Sequence, residues 1–330
     1  MLAPNIKGEP RLKRRYVTSL VIATTASPIP PGETVAPSVG ASSLPGPLRG
    51  AIRVFATLWR NRKARIGLLV LGVIVFVAIF APLLAPYSPT STSFTPYLGP
   101  SGTHFFGTTG QGQDVFSQML YGTRISLIVG LSAGLLATLA AMIIGLVAGY
   151  LSGAVDVTLS FITNLALVIP SLPLIIILAA YVPSRSVWTI VLVVAVTGWA
   201  TGARVIRSQT STLRSRDFVT AAVFSGERLP RIVFREILPN MTSLVAASFF
   251  GAATFAVMAE ASLEFLGLGN PSTISWGTIL YSAQTNNALL TGQWVVILAP
   301  GLAIALLALS FTLVNFGVDA LSNPRLRERS

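Results

Sequence analysis

An all-α protein that crosses a bilayer six times is the fold class this sequence predicts. Three observations predict it: composition, the lengths of the apolar runs, and the placement of Lys and Arg. Hydrophobic residues make up 52% of the 330 and charged residues only 10%, against about 25% charged in a typical soluble chain. Mean hydropathy is +0.72. Six apolar runs approach or exceed the ~20 residues that a helix needs to cross hydrocarbon: 66–87, 127–151, 157–181, 187–203, 241–259 and 294–318. None contains Asp, Glu, Lys or Arg. Lipid offers no partner to an open backbone, so each run is expected to be a helix. Of 23 Lys and Arg, 21 fall in 1–65, 204–240 and 319–330; only Arg124 and Arg185 lie elsewhere. The positive-inside rule then places both termini and the 204–240 segment in the cytoplasm.

The elements follow in order. Residues 17–26 are apolar but too short to span, and no cleaved leader is read there. Residues 27–50 are rich in Pro, Gly and Ser, so 1–50 is expected to be a disordered, basic cytoplasmic tail. RNRKAR at 60–65 abuts the first span, at the depth of anionic headgroups. A first unit, 51–126, holds that span and an extracytoplasmic segment. Within it Asp114 is expected to cap a short amphipathic helix through Phe116, Met119, Leu120 and Tyr121. That helix is either a docking surface for an external protein or a brace for the bundle. Asp114 is expected to pair with Arg124 or to meet solvent. The second unit, 127–330, holds the other five spans. Pro170 and Pro173 in the third, and Pro300 in the sixth, are expected to kink or unwind their helices.

The 204–240 segment carries the densest local pattern. Asp217 is expected to cap a helix whose first turn is 218–221. Phe218, Ala221, Ala222 and Phe224 give it a short apolar surface. Gly226 permits the left-handed turn that ends helices, and Pro230 suits the first turn of a second helix, with Arg231, Arg235 and Glu236 on its polar side. That helix is expected to end at Leu238-Pro239, before the fifth span. Helix, Gly break and helix make a knob at the membrane surface. By pattern alone it is a plug for a partner's groove or an ordinary interfacial helix.

Chemistry is sparse. There is no Cys, which excludes thiolate sites and disulfides, and the single His, His104, cannot build a histidine metal site. No GxxxxGK[ST] loop, HExxH motif or Ser–His–Asp set is found, so no cofactor is expected on this chain and it is read as non-catalytic. An ion-coupled secondary transporter or an intramembrane enzyme needs ionisable residues within the spans, and none is found there. The net charge of +12 is absorbed by topology rather than nucleic-acid binding. Glu260 and Glu264 lie one turn apart at the outer end of the fifth span. They either line a substrate path or outer gate, or sit as helix-end carboxylates at the water boundary.

The knob resembles the "EAA" loop of binding-protein-dependent ABC importers, with Ala221-Ala222, Gly226 and Leu238-Pro239 at the family's spacing. Thr220 stands in place of the motif's Glu, and Glu236 where the dipeptide/oligopeptide branch often has His. The resemblance covers about 55–328. It includes Asn61-Arg62; His104-Phe105-Phe106-Gly107-Thr108 with Gly112, Asp114, Ser117, Tyr121-Gly122, Arg124 and Ser126-Leu127; and Glu260-Ala261-Ser262-Leu263 with Phe265-Leu266-Gly267-Leu268-Gly269, Pro271 and Ser275-Trp276-Gly277. Pro324-Arg325-Leu326-Arg327 completes it. These motifs are similar to the C-type permease of dipeptide, oligopeptide and nickel importers, a family that also includes some sugar importers. The resemblance implies a type I ABC importer permease fold and a heterodimer with a homologous B-type permease. It also implies two ATPase subunits that carry ATP and Mg, an extracytoplasmic substrate-binding protein, and alternating access. Asp217, Phe218, Ala221, Ala222, Phe224, Gly226, Arg231, Arg235, Leu238 and Pro239 would then form the ATPase-coupling surface.

Overall fold

The Asn61 side chain accepts from the backbone N–H groups of Lys63 and Ala64 at 3.0 and 3.2 Å and so starts helix α1, Arg62–Leu84, in this computed structural model. The structure describes residues 58–59, 61–182 and 185–322; the tail expected over 1–50 and the motif at 324–327 lie outside the described residues. Helices α2 (Val115–Leu151), α3 (Gly153–Val168), α4 (Ser171–Tyr181), α5 (Val187–Arg214) and α6 (Asp217–Phe224) follow. After Gly226, one α-turn (Leu229–Arg231) opens into a wide π-helical turn (Ile232–Ile237) and tightens to a 3-10 turn (Leu238–Met241). It then continues as α7, Thr242–Phe265, followed by α8 (Trp276–Thr285) and α9 (Trp294–Ser322). No strand occurs among the described residues.

By length and apolar composition, α1, α2, α5, the helix Leu229–Phe265 and α9 can each cross a membrane. The α3–α4 pair passes the same test only taken together, and it is bent by 89° at its break, the geometry of a broken span or of a re-entrant loop. Five of the six apolar runs thus fall in helices able to cross, and the third run falls in the bent pair. The bend falls at Ile169-Pro170, where the proline cannot donate to the helix ladder. Pro300 behaves differently: α9 runs through it without a break.

Several boundaries differ from the hydropathy reading. The helix that Asp114 caps is not a short outer one; it continues as the 37-residue α2. The fourth crossing continues past Ala203 to Arg214. The helix after Gly226 does not stop at Leu238-Pro239 but changes its winding there and joins the fifth crossing. The reason is shared. Hydropathy marks the hydrocarbon zone, whereas a helix ends only where its backbone bonds end. At Pro239 a wide turn followed by a tight one absorbs the missing N–H. Leu238 N–H reaches Val233 O, and the Asn240 amide donates to Glu236 O at 2.6 Å.

Helix α2 is the central pillar, and glycines let its neighbours approach. A Cβ at Gly145 would come within 2.8 Å of the Ala203 carbonyl, and one at Gly149 within 2.6 Å of the Arg207 carbonyl, both on α5. A Cβ at Gly134 would meet the Ala253 backbone of α7 at 2.8 Å. Small residues four apart are the usual solution for close packing in lipid, where burial between helices supplies little drive. Arg204 and Arg207 mark one end of the bundle as basic. There the ends of α2 and α5 enclose a core of Leu146, Ile206, Leu213, Val219, Ile237 and Met241. At the opposite end α2, α8 and α9 pack around Val115, Trp276, Ile279 and Val296.

Candidate functional site

Three regions of the bundle concentrate features that bear on function. The first is the knob at the basic end. Helix α6 begins at Asp217 itself, with Arg216 at the cap position and no side-chain cap. Asp217 therefore does not cap the helix; it places its carboxylate in the first turn, where the exposed N–H groups favour negative charge. Gly226 adopts φ +73°. Its N–H reaches Val223 O at 3.0 Å, and Glu227 N–H reaches Ala222 O at 3.1 Å, the paired closure that ends a helix on a left-handed residue. Across this joint Arg231 Nε meets Glu227 Oε2 at 2.6 Å.

The two faces of α6 differ. Val219 is buried and Ala222 half-buried, and both pack into the core that Ile232, Val233, Ile237 and Met241 build with α2 and α5. Phe218, Ala221 and Phe224 face outward, Phe224 at 86% exposure. The apolar surface expected from Phe218, Ala221, Ala222 and Phe224 is thus split. Ala222 bolts the knob down and the two phenylalanines project from it. Arg231, Arg235 and Pro239 are exposed, and Leu238 is half-buried against the same core.

The second region is a cavity of about 580 Å³ partway along the crossings. Ala137 and Thr138 of α2, Pro170 and Ser171 at the α3–α4 bend, Thr197, Gly198, Thr201 and Gly202 of α5, and Ser248, Gly251 and Phe255 of α7 line it. No charged side chain lines it. Its hydroxyls could not be singled out in the sequence, because Ser and Thr in a crossing more often return a bond to their own helix. Thr138 does so, to Gly134 O at 2.7 Å.

The third region holds Glu260 and Glu264. Both are buried and neither lines the cavity. Both do stand in the last turns of α7, which ends at Phe265, but they are enclosed by other elements rather than placed at a water boundary. Ser126 Oγ donates to Glu260 Oε1 at 3.2 Å, and Ser275 Oγ donates to Glu264 Oε2. Trp276 then donates its backbone N–H to Ser126 Oγ at 3.4 Å and its indole N–H to Met119 O at 3.2 Å. Gly269 and Gly277 close over the Glu264 side chain, where a Cβ would come within 2.7 Å of it. The carboxyls thus join α2, α7 and the start of α8. Helix α8 was not read from the sequence; its capping box pairs Ser275 with Thr278 in place of the usual Glu or Gln and shows only in the hydrogen bonds.

Asp114 caps α2, accepting from Ser117 N at 2.8 Å, and its other oxygen meets His104 Nδ1 at 2.8 Å. Its side-chain partners are thus His104 and Ser117, not Arg124.

With this geometry in hand, the chain's similarities are specific. Residues 141–328 match the family described as binding-protein-dependent transport system inner membrane component. Residues 51–100 match the N-terminal transmembrane domain of oligopeptide transport permease C. The oligopeptide transport system permease protein OppC of Bacillus subtilis is 31% identical over 270 residues, covering 81% of this chain and 87% of that protein. The dipeptide transport system permease protein DppC of the same organism is 33% identical over 272 residues, covering 82% and 84%. DppC of Alkalihalophilus pseudofirmus is 31% identical over 276 residues, covering 83% and 89%.

Proposed function

Because this chain belongs to the family of binding-protein-dependent transport system inner membrane components, we propose that it forms one half of an ATP-driven pore that imports di- or oligopeptides. The peptide cargo rests on the similarity to oligopeptide and dipeptide permeases. A homologous B-type permease supplies the other half, two ATPase subunits bind ATP and Mg, and an extracytoplasmic binding protein delivers the cargo. Both termini and the α6 knob lie on the cytoplasmic side, in keeping with the basic residues. The chain itself catalyses nothing.

One observation carries this reading. The α6 knob turns Phe218 and Phe224 outward while its back, with Val219 and Ala222, packs on the turn Ile232–Ile237 and on α5, in a core that α2 also joins. Those two helices also form walls of the 580 Å³ cavity. A displacement imposed on the phenylalanines by the ATPase pair is therefore passed to the walls through packed side chains, which resist compression. The uncharged, hydroxyl-bearing wall suits a path that must release its cargo. Charged side chains there would hold a zwitterionic peptide by its termini.

Replacing both Phe218 and Phe224 with Asp tests the reading. The complex is expected to keep the second permease but lose the ATPase subunits on purification, together with binding-protein-stimulated hydrolysis in proteoliposomes. Normal stimulation in the double variant would overturn the assignment.

A further inference from the structure

At the basic end of the bundle a hollow of about 200 Å³ opens beside the knob. Met142, Leu146 and Tyr150 of α2 form one wall, and Leu229, Val233 and Phe234 form the other. Every lining side chain is apolar except for the Tyr150 hydroxyl. The cavity-lining helices at mid-membrane present hydroxyls; this hollow presents none besides Tyr150, so it offers water no partners and an acyl chain many contacts.

Its mouth has the opposite character. The Arg214 guanidinium lies 5.7 Å from the centre of the Tyr150 ring, a cation held over the aromatic lip. Arg228 directly precedes Leu229, is exposed, and takes part in no ion pair among the described residues. Arg231 is engaged by Glu227, whereas Arg235, next to Phe234, is exposed. The hollow occupies the last turns of a membrane-crossing helix, so its mouth falls at the depth of the lipid headgroups. Basic residues at that depth attract anionic headgroups.

We propose that this hollow is a binding site for an anionic phospholipid, with one acyl chain between α2 and the helix after Gly226 and its phosphate met by Arg214 and Arg228. Phosphate chemistry favours guanidinium, which donates in a planar fork. The lipid would brace the knob against α2 and raise the efficiency with which the knob moves the cavity wall. That consequence rests on the coupling role proposed above; occupancy of the site does not.

The test uses the full complex with its partner subunits, reconstituted in nanodiscs of phosphatidylcholine mixed with phosphatidylglycerol. Lipid retained after gentle detergent extraction is read by native mass spectrometry. The wild type is expected to retain phosphatidylglycerol in preference to phosphatidylcholine. Arg214→Gln with Arg228→Gln, and separately Ile143→Trp at the exposed lip, are each expected to lower that retention several-fold with subunit composition unchanged. A photo-crosslinking amino acid at Val147 is expected to capture lipid, which keeps the test decisive should a variant fail to assemble. Three results overturn the proposal: no preference for phosphatidylglycerol in the wild type, equal retention in the variants, or capture of another subunit at Val147. Failure of the coupling role is read separately, from ATPase retention in the phenylalanine variants.

Discussion

The Arg207 guanidinium grips both oxygens of Asp156, Nη2 to Oδ2 at 2.7 Å and Nε to Oδ1 at 2.5 Å. This fork joins α5 to the first turn of α3, and Arg204 adds a second tie to Asn164 at 2.8 Å. Helix α3 needs such ties because Thr163 is its one buried residue. It also forms the basic-end arm of the bend that borders the cavity.

The pair is partly exposed, so its stabilisation is modest, about 1 kcal/mol for good bidentate geometry. Asp156→Asn is expected to lower the melting temperature of the purified complex slightly and more at low salt than at high. The charge-swapped double variant, Asp156→Arg with Arg207→Asp, is expected to recover most of that loss. Absence of recovery would show that the two side chains act independently.

Gly226 sits at φ +73° with nothing near the position a Cβ would take. Substitution there is therefore a matter of backbone strain, not collision. Gly226→Val is expected to cost about 1–2 kcal/mol locally, while Gly226→Asn, which tolerates that region, stays close to wild type. The readout is ATPase co-purification and stimulated hydrolysis, with membrane insertion unchanged in both.

Ala222→Asp acts by a different route. Ala222 leans on the chain's own core, so a carboxylate there is expected to cost about 1–3 kcal/mol of this chain's stability. Thermal unfolding in detergent separates the cases: a clear fall for Ala222→Asp, and little change for Phe224→Asp at the exposed tip.

Around Glu264 the prediction concerns fit. Glu264→Ala leaves the Ser275 hydroxyl without its acceptor and opens a void, which together are expected to cost about 2–4 kcal/mol. Glu264→Gln keeps both shape and an acceptor and is expected to cost much less. Gly277→Ala would press a methyl to 2.7 Å from Glu264 Cβ and 3.0 Å from Ala261 Cα, an overpacking cost of about 1–3 kcal/mol. Melting temperatures of the three variants, ranked, check the arrangement.

Topology can be read directly because the chain has no native Cys. Single cysteines at Ser211 and Ser42 are expected to resist an impermeant thiol reagent in intact cells. Those at Ser101 and Thr285, both exposed at the opposite end, are expected to react. Labelling of Ser211→Cys from outside would contradict the proposed orientation.

Much of the crossing pattern was legible because lipid imposes one rule on every segment: enough apolar residues, all in helix. The bend at Pro170 and the left-handed turn at Gly226 were legible for the same kind of reason, since each residue carries its backbone restriction with it. Where Pro239 was read as a terminator, the local rule was incomplete. A proline forbids one hydrogen bond, but neighbouring turns can widen and tighten around it.

What the sequence determined by itself, then, are properties local to a segment: six apolar runs, a basic end, and a helix–Gly–helix knob. Tertiary structure alone decided which partners those segments meet. Asp114 could pair with Arg124 by proximity in sequence, yet the fold brings His104 to 2.8 Å from it. Glu260 and Glu264 read as path-facing or water-facing, yet Ser126 and Ser275, 134 and 11 positions away, enclose them in protein. Ala222 and Phe224, two residues apart, end on opposite faces of one short helix. The physical reason is common to all three. Backbone preference and hydropathy act within a few residues, whereas burial and hydrogen-bond pairing depend on side chains that the chain brings together only after its helices have packed.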